Sequence, residues 1–183
     1  MGVASGEHLD VTRRSFTFDS FPKEIIIDDE LSVSSFTDND STILAAMTDH
    51  DESVQRYIPW AKEDKAAYIA RANLHKEKRG PRYGIRYQGD LVGHLAIFPS
   101  HDQEGVIEIG YLLAEGARGK RFIDRVLPAC EQLALQDNPG ARLALCINDA
   151  NIPSQRVAER MGYVPSDIRS DGDRVYFKAD LKQ

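Results

Sequence analysis

The chain has 183 residues, with 23 basic and 29 acidic side chains, a net charge of −6 and 42% hydrophobic residues. That length suits one domain with a sizeable core, and a mean hydropathy of −0.43 excludes both a disordered polyelectrolyte and a membrane-embedded bundle. The acidic balance argues against a general binder of nucleic acid or anionic membrane, although Arg118 to Arg125 forms a local basic patch.

The first 22 residues are polar and weakly patterned, so a frayed extension is expected there, with residues 23–183 forming a single domain. Met1 to Asp10 lacks the apolar segment of a secretory signal, Gly6 breaks the myristoylation pattern, and no apolar run reaches bilayer length. A cytoplasmic location is the expectation. Ile25 to Ile27 and Leu31 to Ser35, split by Asp28, Asp29 and Glu30, predict an opening hairpin. Asp38 to Asp40 caps a short helix running to Met47, and a second helix is expected from Lys62 to Lys78, ended by Gly80-Pro81. Arg82 to Tyr87 and Leu91 to Phe98 form a hairpin around Gln88-Gly89-Asp90, with Val106 to Leu113 as the next strand. A helix from about Gly119 to Gln136 follows, with Pro128 inside it, where a proline removes one hydrogen bond and costs about 3 kcal/mol. Ala141 to Ile147 is a strand, Asn151 to Met161 a helix closed by Gly162, and Tyr163 to Ile168 and Arg174 to Leu181 are the last strands.

This order predicts an α+β (mixed α/β) domain with helices on both faces of one sheet. The passage from Val106 through a helix to Ile147 predicts a parallel crossover, which places the loop at the helix start on the sheet's carboxyl edge, where ligands bind. That loop carries Arg118, Gly119, Lys120 and Arg121. Cations oppose the dipole at a helix start unless an anion offsets them, so the loop is either a phosphate site or a solvated basic turn. Cys130 and Cys146 lack metal-ligand spacing and read as small core residues. His8, His50, His75, His94 and His101 show no metal spacing either, and no metal is expected.

Tyr57-Ile-Pro-Trp60, Glu108-Ile-Gly-Tyr111, Arg118-Gly-Lys120, Asn151-Ile-Pro-Ser154 and Met161-Gly-Tyr163, in this order, resemble the GNAT acyltransferase superfamily, above all its ribosomal-protein N-acetyltransferase-like branch. The similarity runs from about Ile25 to Leu181. It implies a splayed, mostly antiparallel sheet of six to seven strands, with acetyl-coenzyme A (acetyl-CoA) between the Glu108 and Ala141 strands. By the same resemblance, pantetheine pairs with backbone near Leu113 and touches Asn151, and pyrophosphate rests on Arg118, Gly119, Lys120, Arg121, Phe122 and Ile123. Glu108 is implied as base and Ser154 as the group that returns a proton to sulfur. The family pattern Arg/Gln-x-x-Gly-x-Gly/Ala is broken, because Arg121 stands at the first glycine and Ile123 at the second position. Side chains there either block the approach of a pyrophosphate or, for Arg121, pair with it.

Each candidate also has a plain structural reading. Glu108 in an apolar strand is a base with a raised pKa or a partner for an arginine. Ser154 and Asn151 sit where a helix needs capping. Tyr111 and Tyr163 offer phenols but equally suit a core. Trp60, His94 and Tyr111 are candidates for the acceptor side. Three functions follow: acetyl transfer from acetyl-CoA to a primary amine of a small molecule or peptide; amide formation from an aminoacyl-tRNA or carrier-protein donor, with Arg125 joining the basic loop; or a non-catalytic binding protein of the same fold. A homodimer is compatible with all three.

Overall fold

The computed structural model describes residues 15–57 and 80–179. The expected helix from Lys62 to Lys78 and Trp60 lie outside the described residues. Eight strands form one sheet in the order β1-β2-β3-β4-β5-β6-β8-β7: β1 (Glu24–Ile26), β2 (Leu31–Ser35), β3 (Arg82–Tyr87), β4 (Asp90–Pro99), β5 (Val106–Leu113), β6 (Arg142–Ile147), β7 (Tyr163–Ser170) and β8 (Asp173–Lys178). The fold class is the expected mixed one, mostly antiparallel. The strand count exceeds six to seven because the short β1 joins the sheet edge, pairing Ile25 with Val33. Only β5 and β6 pair in parallel among the described strands.

Four α-helices are described: α1 (Asp38–Thr48), α2 (Glu52–Tyr57), α3 (Phe122–Asp137) and α4 (Ile152–Arg160). Helix α1 is capped by Thr37, one residue before the expected cap, in a reciprocal capping box with Asp40. The signal was a threonine three residues ahead of a carboxylate. Leu44 and Ala45 of α1 and Val54 of α2 pack with Phe36, Leu91 and Leu112 on one sheet face. On the other face, Phe122, Val126, Cys130 and Ala134 of α3 and Ala158 of α4 join Leu95, Ile97, Ile107 and Ile109 in the main core. Alternation along β5 separates the two sets.

Helix α3 starts at Phe122 rather than near Gly119, after a single 3-10 turn at Glu115–Ala117. Pro128 lies on its exposed side, where a freed carbonyl reaches water. The part of the leading segment that is described is docked rather than frayed. Phe16, Phe18 and Phe21 pack on the main core, the Thr17 N–H donates to Asn138 Oδ1 at 2.9 Å, and the Ser20 N–H donates to Asp137 Oδ2 at 2.9 Å. Three phenylalanines among polar residues were the signal for this.

Candidate active site

The site starts where two strands part. Strands β5 and β6 pair through Val106–Arg142, Ile107–Leu143 and Glu108–Ala144 only. Beyond Glu108, β5 stays with β4 as far as Leu113, while β6 stays with β8 as far as Ile147. The Ala114 N–H bonds the Val92 carbonyl and the Ser100 N–H bonds the Val106 carbonyl. Antiparallel alternation therefore turns the backbone groups of Tyr111 and Leu113 away from β4, toward the gap. A cavity of about 1250 Å³ opens there, lined among others by Glu108, Tyr111, Leu113, Cys146, Asn151 and Ser154.

Glu108 sits on β5 at the last rung before the gap and is buried, 6% exposed. Its Oε1 accepts a short hydrogen bond from the Ser100 hydroxyl, a partner from the next strand end rather than the arginine considered above. Cys146, two residues past Ala144 on β6, shares this face. Burial and then the neighbouring Glu108 carboxylate push its thiol up to about 12, so it is a protonated lining group at neutral pH.

Asn151 caps α4, its Oδ1 accepting from the Ser154 N–H at 3.3 Å. The capping role and a place on the cavity wall thus coincide in both residues. The Tyr111 side chain reaches toward Ser154 from the strand. Its hydroxyl is buried and has no hydrogen-bond partner among the described residues. Burial raises the phenol to about 12, while the nearby Ser154 hydroxyl acts to lower it. Tyr163 belongs to the core, its hydroxyl donating to Glu131 Oε1 at 2.8 Å, a carboxylate also held by Lys178 Nζ at 2.7 Å.

The basic loop is less free than its sequence suggests. Arg118 is tied inward: its Nη1 donates to Ser53 Oγ at 2.7 Å, its Nη2 pairs closely with Asp51, and its Nη2 and Nε donate to the Leu113 carbonyl at 3.0 and 3.2 Å. Arg125 pairs with Asp28, and Lys120 lies over the Tyr87 ring at 5.6 Å. Gly119 takes φ +76°. Arg121 is the exposed residue just ahead of α3 and adopts φ 58°, ψ 28°, the left-handed conformation that glycine takes freely. Arg121 thus holds a conformation usual for glycine without being one. The Arg121 side chain does not cap α3, and the first N–H groups of a helix have no partner within the helix itself. Phe122 and Ile123 are buried in the core, and Ile123 also lines the cavity.

His94 lies on β4 at the cavity wall and is 7% exposed. Its Nε2 accepts from Arg82 Nε at 3.0 Å, and its ring meets Phe36 edge-on at 4.7 Å. Burial, reinforced by the Arg82 charge, holds it well below the usual histidine range, so it is neutral. Asp51 and Ser53 escaped the sequence reading because their partner Arg118 is far along the chain, and Arg82 because its bond to His94 depends on strand register. Tyr57 also lines the cavity, its hydroxyl donating to the Ala150 carbonyl at 3.0 Å. One exposed group, His101, Asp102 and Asp171, places three ligand atoms within 4.8 Å of one another.

A sequence model of the Acetyltransferase (GNAT) domain matches residues 30–164. The chain is 24% identical over 149 residues to the uncharacterized protein YkkB of Bacillus subtilis, covering 76% of this chain and 85% of that one. Its fold is similar to that of RimL, described as a ribosomal L7/L12 alpha-N-protein acetyltransferase in complex with coenzyme A, with TM-score 0.68, 17% identity and coverage of 84% and 96% of the two chains. It is also similar to a probable GNAT-family acetyltransferase from Chromobacterium violaceum, with TM-score 0.70, 17% identity and coverage of 97% and 94%. With three quarters of its length matching that domain and its sheet parting at Glu108, the chain belongs to the GNAT acetyltransferase family.

Proposed function

We propose that the protein is an N-acyltransferase that moves an acetyl group from acetyl-CoA to a primary amine by direct attack. The observation that carries this is the unpaired β5 edge at Tyr111 and Leu113, which faces a cavity holding Glu108 on one wall and Ser154 on the other. A CoA-type donor is supported by family membership and by the CoA complex of RimL. The residues fit such a donor. Helix α3 begins without a side-chain cap from Arg121, which holds the glycine conformation, and a buried hydroxyl at Tyr111 has no partner among the described residues. Leu113 would contribute its N–H rather than its carbonyl, which Arg118 already holds.

When bound, acetyl-CoA supplies an acyl group activated as a thioester. Glu108 takes the proton from the attacking amine, directly or through water. Backbone N–H groups beside the gap stabilise the charge that develops on the carbonyl oxygen. As the nitrogen–carbon bond forms and the carbon–sulfur bond breaks, Ser154 returns a proton to sulfur. Asn151 and the first turn of α3 position the donor, and His94 and Tyr111 border the site. A tRNA-linked donor is less well supported, because two of the four basic residues that would dock it, Arg118 and Arg125, are already paired with Asp51 and Asp28.

The test is calorimetric titration of acetyl-CoA into the wild type and Arg121→Gly, followed by thiol-release assays over a panel of primary amines. Micromolar binding by the wild type is expected, with acceptor-dependent thiol release. Binding by Arg121→Gly alone would move the search to other donors.

A further inference from the structure

Tyr111 holds a hydroxyl that the fold does not use. It is buried and unpartnered among the described residues, although a phenol on a strand can be replaced by phenylalanine with no change of shape. A buried hydroxyl without a partner destabilises the protein that contains it. Tyr111 and Ser154 both line the cavity, and the Ser154 hydroxyl acts on the buried phenol. The charged and titratable groups acting on it from the packed elements are Asp124 of α3, Arg160 of α4 and Tyr163 of β7. The first two are joined to each other at 2.9 and 3.0 Å and do not compete for the phenol. The cavity wall therefore carries two hydroxyls, that of Ser154 and the buried one of Tyr111.

We infer that Tyr111 is the positioning residue for Ser154: its O–H donates to Ser154 Oγ when the donor is bound, leaving the Ser154 proton aimed at the donor's sulfur. A serine hydroxyl rotates freely and points wherever an acceptor lies. A fixed donor occupies one of the oxygen's two lone pairs and turns its proton away from Tyr111. With its pKa raised to about 12, Tyr111 keeps its own proton at neutral pH. The proton that reaches sulfur leaves Ser154, whose oxygen takes up the proton of the Tyr111 hydroxyl hydrogen-bonded to it, and the phenol regains a proton from solvent as the products leave. Two hydrogen bonds in series also strengthen each other.

This inference rests on the proposed CoA-type donor and is tested without an acceptor. Coenzyme A is bound to the wild type, Tyr111→Phe, Ser154→Ala and the double variant, and the bound thiol is titrated by its ultraviolet thiolate absorbance. The wild type is expected to bind coenzyme A with its thiol titrating at the lowest pH. Each single variant should raise that midpoint, and Tyr111→Phe should add nothing once Ser154 is alanine. Apo Tyr111→Phe should melt at or above the wild-type temperature. An additive double variant, an unchanged midpoint in Tyr111→Phe or in Ser154→Ala, or a lower apo melting temperature for Tyr111→Phe would overturn the positioning role while leaving the donor assignment intact. Absence of coenzyme A binding by the wild type would overturn both.

Discussion

Arg118 and Asp51, 67 residues apart, close one end of the site. The guanidinium binds the Asp51 carboxylate and the Leu113 carbonyl at the same time, so α2 is fastened to the end of β5. Burial works to raise the Asp51 pKa, but hydrogen bonds from Arg118, Ser53 and the Val54 N–H outweigh it, and the net shift is downward. A lowered carboxylate pKa contributes stability above the unfolded value of about 3.9, lost as pH falls through the folded one. Asp51→Ala should destabilise by about 1–2 kcal/mol, a modest figure because the arginine is partly solvated. Urea titration at pH 7 and pH 3 checks this: the difference from wild type should shrink at the lower pH.

Glu108→Gln keeps size and shape at the last rung of the parallel pair while removing the proton acceptor. Turnover with any accepted amine should fall about 10²–10⁴-fold, with acetyl-CoA affinity within a factor of about three. Steady-state kinetics beside calorimetry separate the two quantities. Loss of affinity equal to the loss of turnover would remove Glu108 from the chemistry.

His94 makes the protein sensitive to mild acid. Its folded pKa lies well below the ordinary value, so the unfolded chain binds a proton that the folded one refuses. Its contribution is complete above pH 6.5 and is eroded below it, by up to about 1.4 kcal/mol per pH unit, until the folded pKa is reached. His94→Gln retains an acceptor for Arg82 without a titrating ring. Its stability between pH 6.5 and 5 should be flatter than the wild type's by about that slope, as read from denaturant midpoints.

Arg121 tests the loop from the backbone side. Its left-handed conformation suits glycine and resists β-branched residues. Arg121→Val should therefore cost on the order of 1–2 kcal/mol, whereas Arg121→Gly should stay within about 1 kcal/mol of wild type, as relief of strain and added unfolded entropy offset. Equal melting temperatures for the two variants would refute this account of the loop.

Local patterns made much of this legible. The hairpin at Gln88-Gly89 and the cap at Asn151 are set by residues a few positions apart, the parallel crossover by the strand–helix–strand order, and each formed where the pattern placed it. The parting of β5 and β6 was implied only by family resemblance, since strand periodicity carries no information on where pairing stops. What stayed hidden is long-range. The Asp51–Arg118 pair depends on how α2 lands on the sheet, and the neutral state of His94 depends on Arg82 arriving from the next strand. The docking of residues 16–21 was obscured because a polar average outweighed three aromatic side chains. Ile123 shows the limit of reasoning by motif: at a position where the family keeps a small residue, its side chain is taken up by the core and also lines the cavity.

The three-rung joint between β5 and β6 also has a mechanical meaning. Two blocks of antiparallel strands are riveted at one end of a long seam by three rungs, and beyond them the strands part around the gap. A ligand lying along Tyr111 and Leu113 would act as a removable ninth strand, tightening the seam and slowing amide exchange on both lips while the outer strands stay unchanged. Catalytic competence and rigidity of the sheet would then rise and fall together, set by occupancy of a single slot.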